Sequence, residues 1–475
     1  MKHIQEFGTD VSKELEGLCA EPRLRKRSQK MLKAWQERPG LGFPQIFTSD
    51  AELEAAYRFF SNPSLGFKDL LRPHVKNSLE RCRRSEDVIC IQDTTTFVFS
   101  DKREGLGFIN RNNSGFLGHF ALAVTRSSDE IPVPLGIVAA RTWVRKEYRE
   151  TKGVSQHQLR QSDDCESLRW IETVVELEKL FAGITAPIHV MDREGDIYDC
   201  TSTMVANKFR FVVRCKTNRI VEAKDPKYHL LFDALDGLPV RYTDTINVSP
   251  RKGSRLPDQR KAYPARPGRE ADIRVTATTV TVKRTRNSSK DFPATTTLNV
   301  VHVFEPHPPG NQEPIEWILL TNEPCSTEKE IRAVVDCYRQ RWLIEELNKA
   351  IKTGCNFEKR QLESYRALTS ALALTLPIAW NMLLLRTQSR SNTNLPAERI
   401  IHPLRLKIIR AHSKRYILPE QPTLRDVAYA IAGLGGHLKR NGPPGWQTLS
   451  RGYEKMLILE EGWMLSTSSE TCDQS

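Results

Sequence analysis

The sequence predicts an α/β protein: a mixed-sheet core, interrupted by a mostly-β insertion and flanked by helical regions at both ends. Three observations predict it. Between residues 87 and 216, short apolar or alternating runs come in the order strand, strand, strand, helix, strand, helix, strand. Residues 217–324 break that order with prolines, glycines and β-branched runs. Residues 1–75, and the chain from Thr327 onward, carry helical spacing instead. These shifts divide the chain into 1–75, 76–389 with the insertion at about 217–324, and 390–475.

A length of 475 residues leaves room for two or three domains and a substantial core. Lys and Arg number 71 against 58 Asp and Glu, a formal charge of +13. Such a balance favours a polyanionic partner, nucleic acid before an anionic membrane surface. No apolar run is expected to reach the roughly 18 residues of a spanning helix. The first residues, MKHIQEFGTDVSKELEG, lack the apolar centre of a secretory signal. The ten cysteines are scattered without the close pairs of a zinc site, and Cys90, Cys200 and Cys215 sit in apolar runs. The expectation is a cytoplasmic protein with buried, reduced thiols.

Residues 1–75 read as a small helical bundle. Arg23, Arg25, Lys26, Arg27, Lys30 and Lys33 crowd one short segment, in which Leu24, Met31, Leu32 and Trp35 are the apolar positions. That density of cations is a footprint for a DNA backbone, although a solvated cationic helix has the same spacing. SDAELEAAYRFF (49–60) follows, with Ser49 or Asp50 as N-cap, and Asn62-Pro63 ends it.

VICIQD (88–93) is a short apolar strand ending on an acid, and GHFALAVTR (118–126) and VPLGIVAARTWVRK (133–146) complete an antiparallel meander. A helix over 165–181 places Leu168, Ile171, Val175 and Leu180 on its inner side. PIHVMDREGDIYD (187–199) is a strand ending in Asp192, TSTMVANK is helical, and FRFVVRCK (209–216) is another strand. This is the element order of a ribonuclease-H-like domain.

The insertion holds the β-branched runs 273–285 and 295–304, ends in IEWILLTNEP (315–324), and has basic loops through Arg251, Lys252, Arg255, Arg260, Lys261, Arg266 and Arg269. Beyond it, ALTLPIAWNMLLL (373–385) closes the core, a link at 390–396 follows, and segments 426–440, with a Gly-Gly break, and 442–463 are helical.

YRQRWLIEELNKAIKTG (338–354) contains no proline, and Gly354 stands where a helix would stop. Wound at about 100° per residue, Tyr338, Arg341, Glu345, Lys349 and Lys352 fall within a sector of about 80°. Leu343, Leu347, Ala350 and Ile351 fall on the opposite side, and Glu346 lies off the polar stripe. A salt-bridged surface helix has this pattern. So does a carboxylate that holds a metal while its neighbours grip phosphate oxygens. Asp93 and Asp192 supply two more acids, each after a short apolar strand. Three carboxylates at one point suit two divalent cations acting on a phosphodiester.

Asp93 in IQDTTT, Asp192 in MDREGDIYD, and Tyr338, Arg341, Glu345 and Lys352 in the 338–354 segment resemble the signatures of bacterial DDE transposases, specifically the insertion-sequence-four family of cut-and-paste enzymes. FVVRCK, EWILLTNEP and YRFFSNP are further shared landmarks, and the likeness runs from about residue 20 to about residue 455.

The resemblance implies roles. Asp93, Asp192 and Glu345 would hold two Mg²⁺ ions per active site, with Mn²⁺ as a substitute. Tyr338, Arg341, Lys349, Lys352, Arg214 and Lys216 would grip DNA phosphates, and Trp317 would stack on a flipped base. Glu194 and Asp196 would steady Asp192 or pair with Arg193. Arg23, Arg25, Lys26, Arg27 and Lys30 would bind the inverted-repeat ends of the element. The C-terminal helices would form a homodimer on double-stranded end and target DNA in a bacterial, nucleoid-associated setting, with no membrane partner. Two other readings use the same residues: a ribonuclease-H-like nuclease or resolvase without strand transfer, and a catalytically silent DNA-binding regulator.

Overall fold

A computed structural model describes residues 14, 18, 21–47, 49–100, 102–110, 112–126, 132–145, 168–223, 229–250, 264–286, 288–310, 312–390, 396–399 and 401–470. In chain order, helices α1 (Pro22–Glu37), α2 (Phe43–Ile46), α3 (Asp50–Phe60) and α4 (Phe67–Arg83) precede strands β1 (Val88–Phe99), β2 (Gly107–Phe108), β3 (Ser114–Thr125) and β4 (Pro134–Trp143). Then come α5 (Leu168–Phe181), β5 (Ile188–Met191), α6 (Tyr198–Ala206), β6 (Arg210–Arg214), β7 (Tyr242–Val248), β8 (Arg269–Lys283), β9 (Thr295–Phe304) and β10 (Glu316–Thr321). The chain ends in α7 (Glu328–Arg339), α8 (Trp342–Lys349), α9 (Tyr365–Arg390), α10 (Pro403–His412), α11 (Leu424–Leu434) and α12 (Trp446–Glu470). The expected loop cations Arg251, Lys252, Arg255, Arg260 and Lys261, the link residues 391–395, and the helix start at 165–167 lie outside the described residues.

The chain divides into two compact units. One comprises residues 1–88, 93–152 and 342–475. Its α1 buries Met31, Leu32 and Trp35 and exposes Arg23, Arg25, Lys26, Arg27, Lys30 and Lys33, as an amphipathic spacing dictates. Trp35 meets Phe43 and Phe60 edge-on, with ring centroids 5.0 and 5.9 Å apart. Ser49 is the cap of α3, accepting from the Glu52 amide at 3.3 Å. In the same unit β3 and β4 pair antiparallel from Leu117↔Trp143 to Val124↔Pro134, and β2 pairs with the start of β3. Gly115 is required there, because a Cβ would come within 1.9 Å of the Phe97 carbonyl of β1.

Helix α9 is buried almost all round from Ala367 to Trp380. The sequence reading expects no segment of membrane-spanning length, but α9 is long and apolar enough to be one. Its apolar surface is instead satisfied by protein: 83% of its most apolar window is buried within the fold.

The other unit comprises residues 89–92 and 153–341. There β1 pairs parallel with β5 (Ile89↔Ile188, Ile91↔Val190), and β5 pairs parallel with β6 (Ile188↔Arg210, Met191↔Val213). The order continues antiparallel through β10, β9, β8 and β7. Short apolar parallel strands beside longer alternating antiparallel ones make a mixed sheet. Trp170, Val174, Met191, Phe211, Val213, Val300 and Leu320 belong to one buried cluster in this unit.

Three local expectations are corrected. The strand read as ending at Asp93 runs twelve residues, because Thr94–Thr96 and Phe97–Phe99 are β-branched or aromatic and carry it onward. The buried face of α5 is Trp170, Val174, Leu177 and Phe181, while Leu168 is 46% exposed. Burying the two large aromatics decides the rotation of that helix. The segment 338–354, expected as one helix, is broken at Gln340–Arg341 and ends in a π-helical turn over Ala350–Gly354, closed by Cys355 N–H to the Ala350 carbonyl at 2.7 Å. Helix α7 belongs to the unit that ends at Arg341, and α8 begins the next segment of the other at Trp342.

The α5 face is testable. Trp170→Ala is expected to cost about 3–5 kcal/mol in urea unfolding. Leu168→Ala should stay within about 0.5 kcal/mol.

Candidate active site

Asp192 follows β5 directly and caps the tight turn Arg193–Gly195, its Oδ1 accepting the Glu194 amide at 2.8 Å. Glu194 is exposed. Asp196 was expected to steady Asp192 or pair with Arg193. Its ion pair is not with Arg193: the side chain is fully buried and meets Arg219 at 2.5 Å. Its Oδ2 accepts the Lys216 and Thr217 amides at 2.7 and 2.8 Å, and its carbonyl accepts from Arg219 at 2.9 Å. Burial makes the choice: a carboxylate sealed from water needs a buried cation and backbone donors, and exposed Arg193 offers neither. Asp196 thus ties the turn bearing Asp192 to the turn after β6. Behind the same strand, buried His189 bonds Glu178 of α5 at 2.8 Å and faces the Gln92 side chain at 3.4 Å.

In the same unit an aromatic and cationic cluster forms around β10, β6 and the end of α7. Trp317 lies half-buried on β10, its ring 5.7 Å from that of Tyr338 and tilted by 60°. The Arg341 guanidinium lies 6.0 Å from the Tyr338 ring centre. Arg214, opposite Leu319 in the β6–β10 register, donates to the Glu316 carbonyl at 2.8 Å. Burial lowers the pKa of Arg214, the Tyr338 hydroxyl opposes that shift, and Arg193 and Arg341 add like charge nearby. Trp317, Tyr338, Arg214 and Arg341 are therefore brought together, while Lys216 presents an exposed side chain. Arg269, read as a loop cation, begins β8 and is held by Glu305 at 2.5 Å.

In the other unit, Asp93 stands mid-strand in β1 and its Oδ2 accepts from the Asn348 amide of α8 at 2.9 Å. Glu345 is exposed on the same helix. The π turn places Lys352 5.5 Å from the Phe97 ring centre and 4.0 Å from Glu358, whose Oε1 accepts the Val98 amide. Burial pushes the pKa of the Lys352 ammonium down, and Glu358 and Asp93 pull it back. Glu346 points into the protein, as its place off the polar stripe requires. It pairs with Arg386 of α9 and accepts from Trp446 Nε1 of α12 at 2.9 Å. Lys349, expected beside Glu345, also reaches Glu346 at 2.9 Å and remains 55% exposed.

Asn348, Glu346 and Arg386 escape a search for acids and cations on one stripe. Asn348 carried a signal nonetheless, as an amide three residues beyond Glu345 on the same helical face. Of the basic residues in α1, Lys30 pairs with Glu52 of α3, and the other four expected to meet DNA are exposed.

Among the described residues no group of three or more His, Cys, Asp or Glu side chains stands assembled to hold a metal ion. The donors at Asp93, Asp192 and Glu345 are each carboxylate oxygens, the type that a hard divalent cation takes.

Residues 20–65 match the family described as transposase DNA-binding, and residues 177–382 match the transposase DDE domain. The first spans α1 to α3; the second contains Asp192, Trp317, Tyr338, Arg341 and Glu345, with Asp93 ahead of it. The mixed sheet and the two matches define a DNA-binding recombination enzyme. The chain is a DDE-type transposase, a metal-dependent DNA nuclease and strand transferase.

Glu346 supplies a stability test. Arg386→Met leaves a buried carboxylate short of its main partner, at an expected cost of about 3–5 kcal/mol. Removing both charges together, Glu346→Leu with Arg386→Met, should cost less than Arg386→Met alone, as measured by thermal or urea unfolding.

Proposed function

We propose that the chain is a cut-and-paste transposase of the insertion-sequence-four type, resembling the transposon-five transposase, and that it excises and integrates a mobile element through a DNA hairpin. The observation that carries this reading is the cluster of Trp317, Tyr338, Arg214 and Arg341. A plain hydrolase needs cations for the phosphates, but it has no use for a half-buried indole beside them.

In this reading Asp93, Asp192 and Glu345 hold Mg²⁺, two ions per active site, with Mn²⁺ able to replace it. Such ions, when bound, favour the attacking oxygen and the charge on the leaving one.

The residues of the chain then divide the remaining work. Tyr338, Arg341, Arg214, Lys216, Lys349 and Lys352 grip phosphates. Water cuts one strand and releases a 3′-hydroxyl. That hydroxyl attacks the opposite strand and closes a hairpin, which a second hydrolysis reopens before the end joins target DNA. Closing the hairpin bends the strand sharply and expels a base, and Trp317 offers that base an aromatic face. The exposed α1 cations Arg23, Arg25, Lys26 and Arg27, together with Lys30, bind the element's inverted-repeat ends, and the C-terminal helices support a homodimer.

Labelled end DNA with Mg²⁺ tests both parts. Asp192→Asn is expected to abolish cleavage while end binding stays within about twofold; undiminished cleavage would remove Asp192 from the site. Trp317→Ala should slow hairpin formation roughly 5- to 150-fold, the equivalent of about 1–3 kcal/mol of stacking, with first-strand nicking little changed. Nicks with neither hairpin nor strand transfer from the unaltered protein would establish a hydrolase instead.

A further inference from the structure

Asn348 stands between the strand acid and the helix acid of one unit. Its Nδ2 donates to Asp93 Oδ2 at 2.9 Å, and it lies three residues along α8 from Glu345, one turn away on the same face. The amide orientation is set by chemistry: turned over, its carbonyl would face the Asp93 carboxylate, two acceptors with no proton between them. The Oδ1 atom that is left is buried and meets no donor in the protein. A buried acceptor without a partner is costly, roughly 1–3 kcal/mol, so its retention beside an acid asks for a function.

We propose that Asn348 is a positioning residue for the divalent cation. Its N–H group holds Asp93 in the orientation that presents a carboxylate oxygen to the ion, and its orphaned carbonyl accepts a hydrogen bond from a water of that ion's shell. The same bond fixes β1 to α8 and so sets the distance between Asp93 and Glu345. A Leu side chain would fill the space and an Ala would leave it empty, and neither would do these things. This inference rests on the assignment of Asp93 as a ligand, and the test separates the two.

The measurement is Mn²⁺ affinity of the full-length, DNA-free protein, read from the electron paramagnetic resonance signal of free Mn²⁺, with the melting temperature followed in parallel. Asn348→Ala and the volume-keeping Asn348→Leu are each expected to weaken Mn²⁺ binding by roughly 10- to 100-fold, the usual effect of removing a group that orients a ligand. The melting temperature should remain within a few degrees of the unaltered chain. In an Asp93→Ala background, Asn348→Ala should add little, because its partner is gone.

If Asp93→Ala weakens binding and both Asn348 variants leave it within twofold, the positioning role is overturned and the metal assignment stands. If Asn348→Leu alone retains full affinity, the side chain serves packing, and the proposal fails. If Asp93→Ala itself leaves Mn²⁺ affinity unchanged, the metal assignment fails, and the proposal with it.

Discussion

A carboxylate taken out of water must be given a cation or a set of donors, or it will not stay charged. Two acids in this chain meet that requirement in ways that organise everything near them. Asp196 is sealed against Arg219 and two backbone amides, and the turn bearing Asp192 is held to the turn after β6 as a result. Glu346 is sealed against Arg386 and the Trp446 indole, and α8, which carries Glu345, is held to α9 and α12. Each buried acid sits one or four residues from an acid assigned to chemistry. The pairing energy is spent on placement, because breaking either contact strands a charge in the interior at a cost of about 3–5 kcal/mol.

The exposed charges do different work. The cations of α1 stand in solvent, where an ion pair such as Lys30–Glu52 contributes little to stability. In the proposed reading they act through the field of a chain with net charge +13, which draws in a polyanion and positions it through its phosphates. Two cations of the proposed site are partly buried. Arg214 and Lys352 both have their basicity lowered by burial, and each is partly restored by a neighbour, Tyr338 for one and Glu358 with Asp93 for the other. A half-desolvated cation binds a phosphate oxygen more strongly than one in bulk water does.

Departures from regular helix geometry aim these side chains. Helix α7 ends before Gln340–Arg341 with Tyr338 against Trp317, and α8 buries Leu343, Ile344 and Leu347 in its own unit. The π turn after Lys349 inserts extra backbone, and Lys352 swings beside Phe97 and Glu358. Irregular turns of this kind tend to occur at functional positions.

Much of the fold was legible from local pattern. Period-two and period-3.6 spacing located the strands and most helices, including the stop at Gly435-Gly436, and narrowed the α3 cap to Ser49 or Asp50, of which the structure uses Ser49. Residue type and neighbours singled out Asp93, Asp192 and Glu345, since an acid after an apolar run or within a basic stripe is a feature of adjacent sequence; Trp317 came only from the family resemblance. What the sequence did not carry was every contact between distant residues. Asn348 meets Asp93 across 255 positions, and Trp446 meets Glu346 across 100. The rotation of α5, the length of β1 and the break after Arg339 belong to the same class, because burial against neighbours outweighs the few tenths of a kcal/mol by which local propensities differ. Backbone preference is decided residue by residue, but which buried charge meets which partner is decided only when the chain has closed on itself.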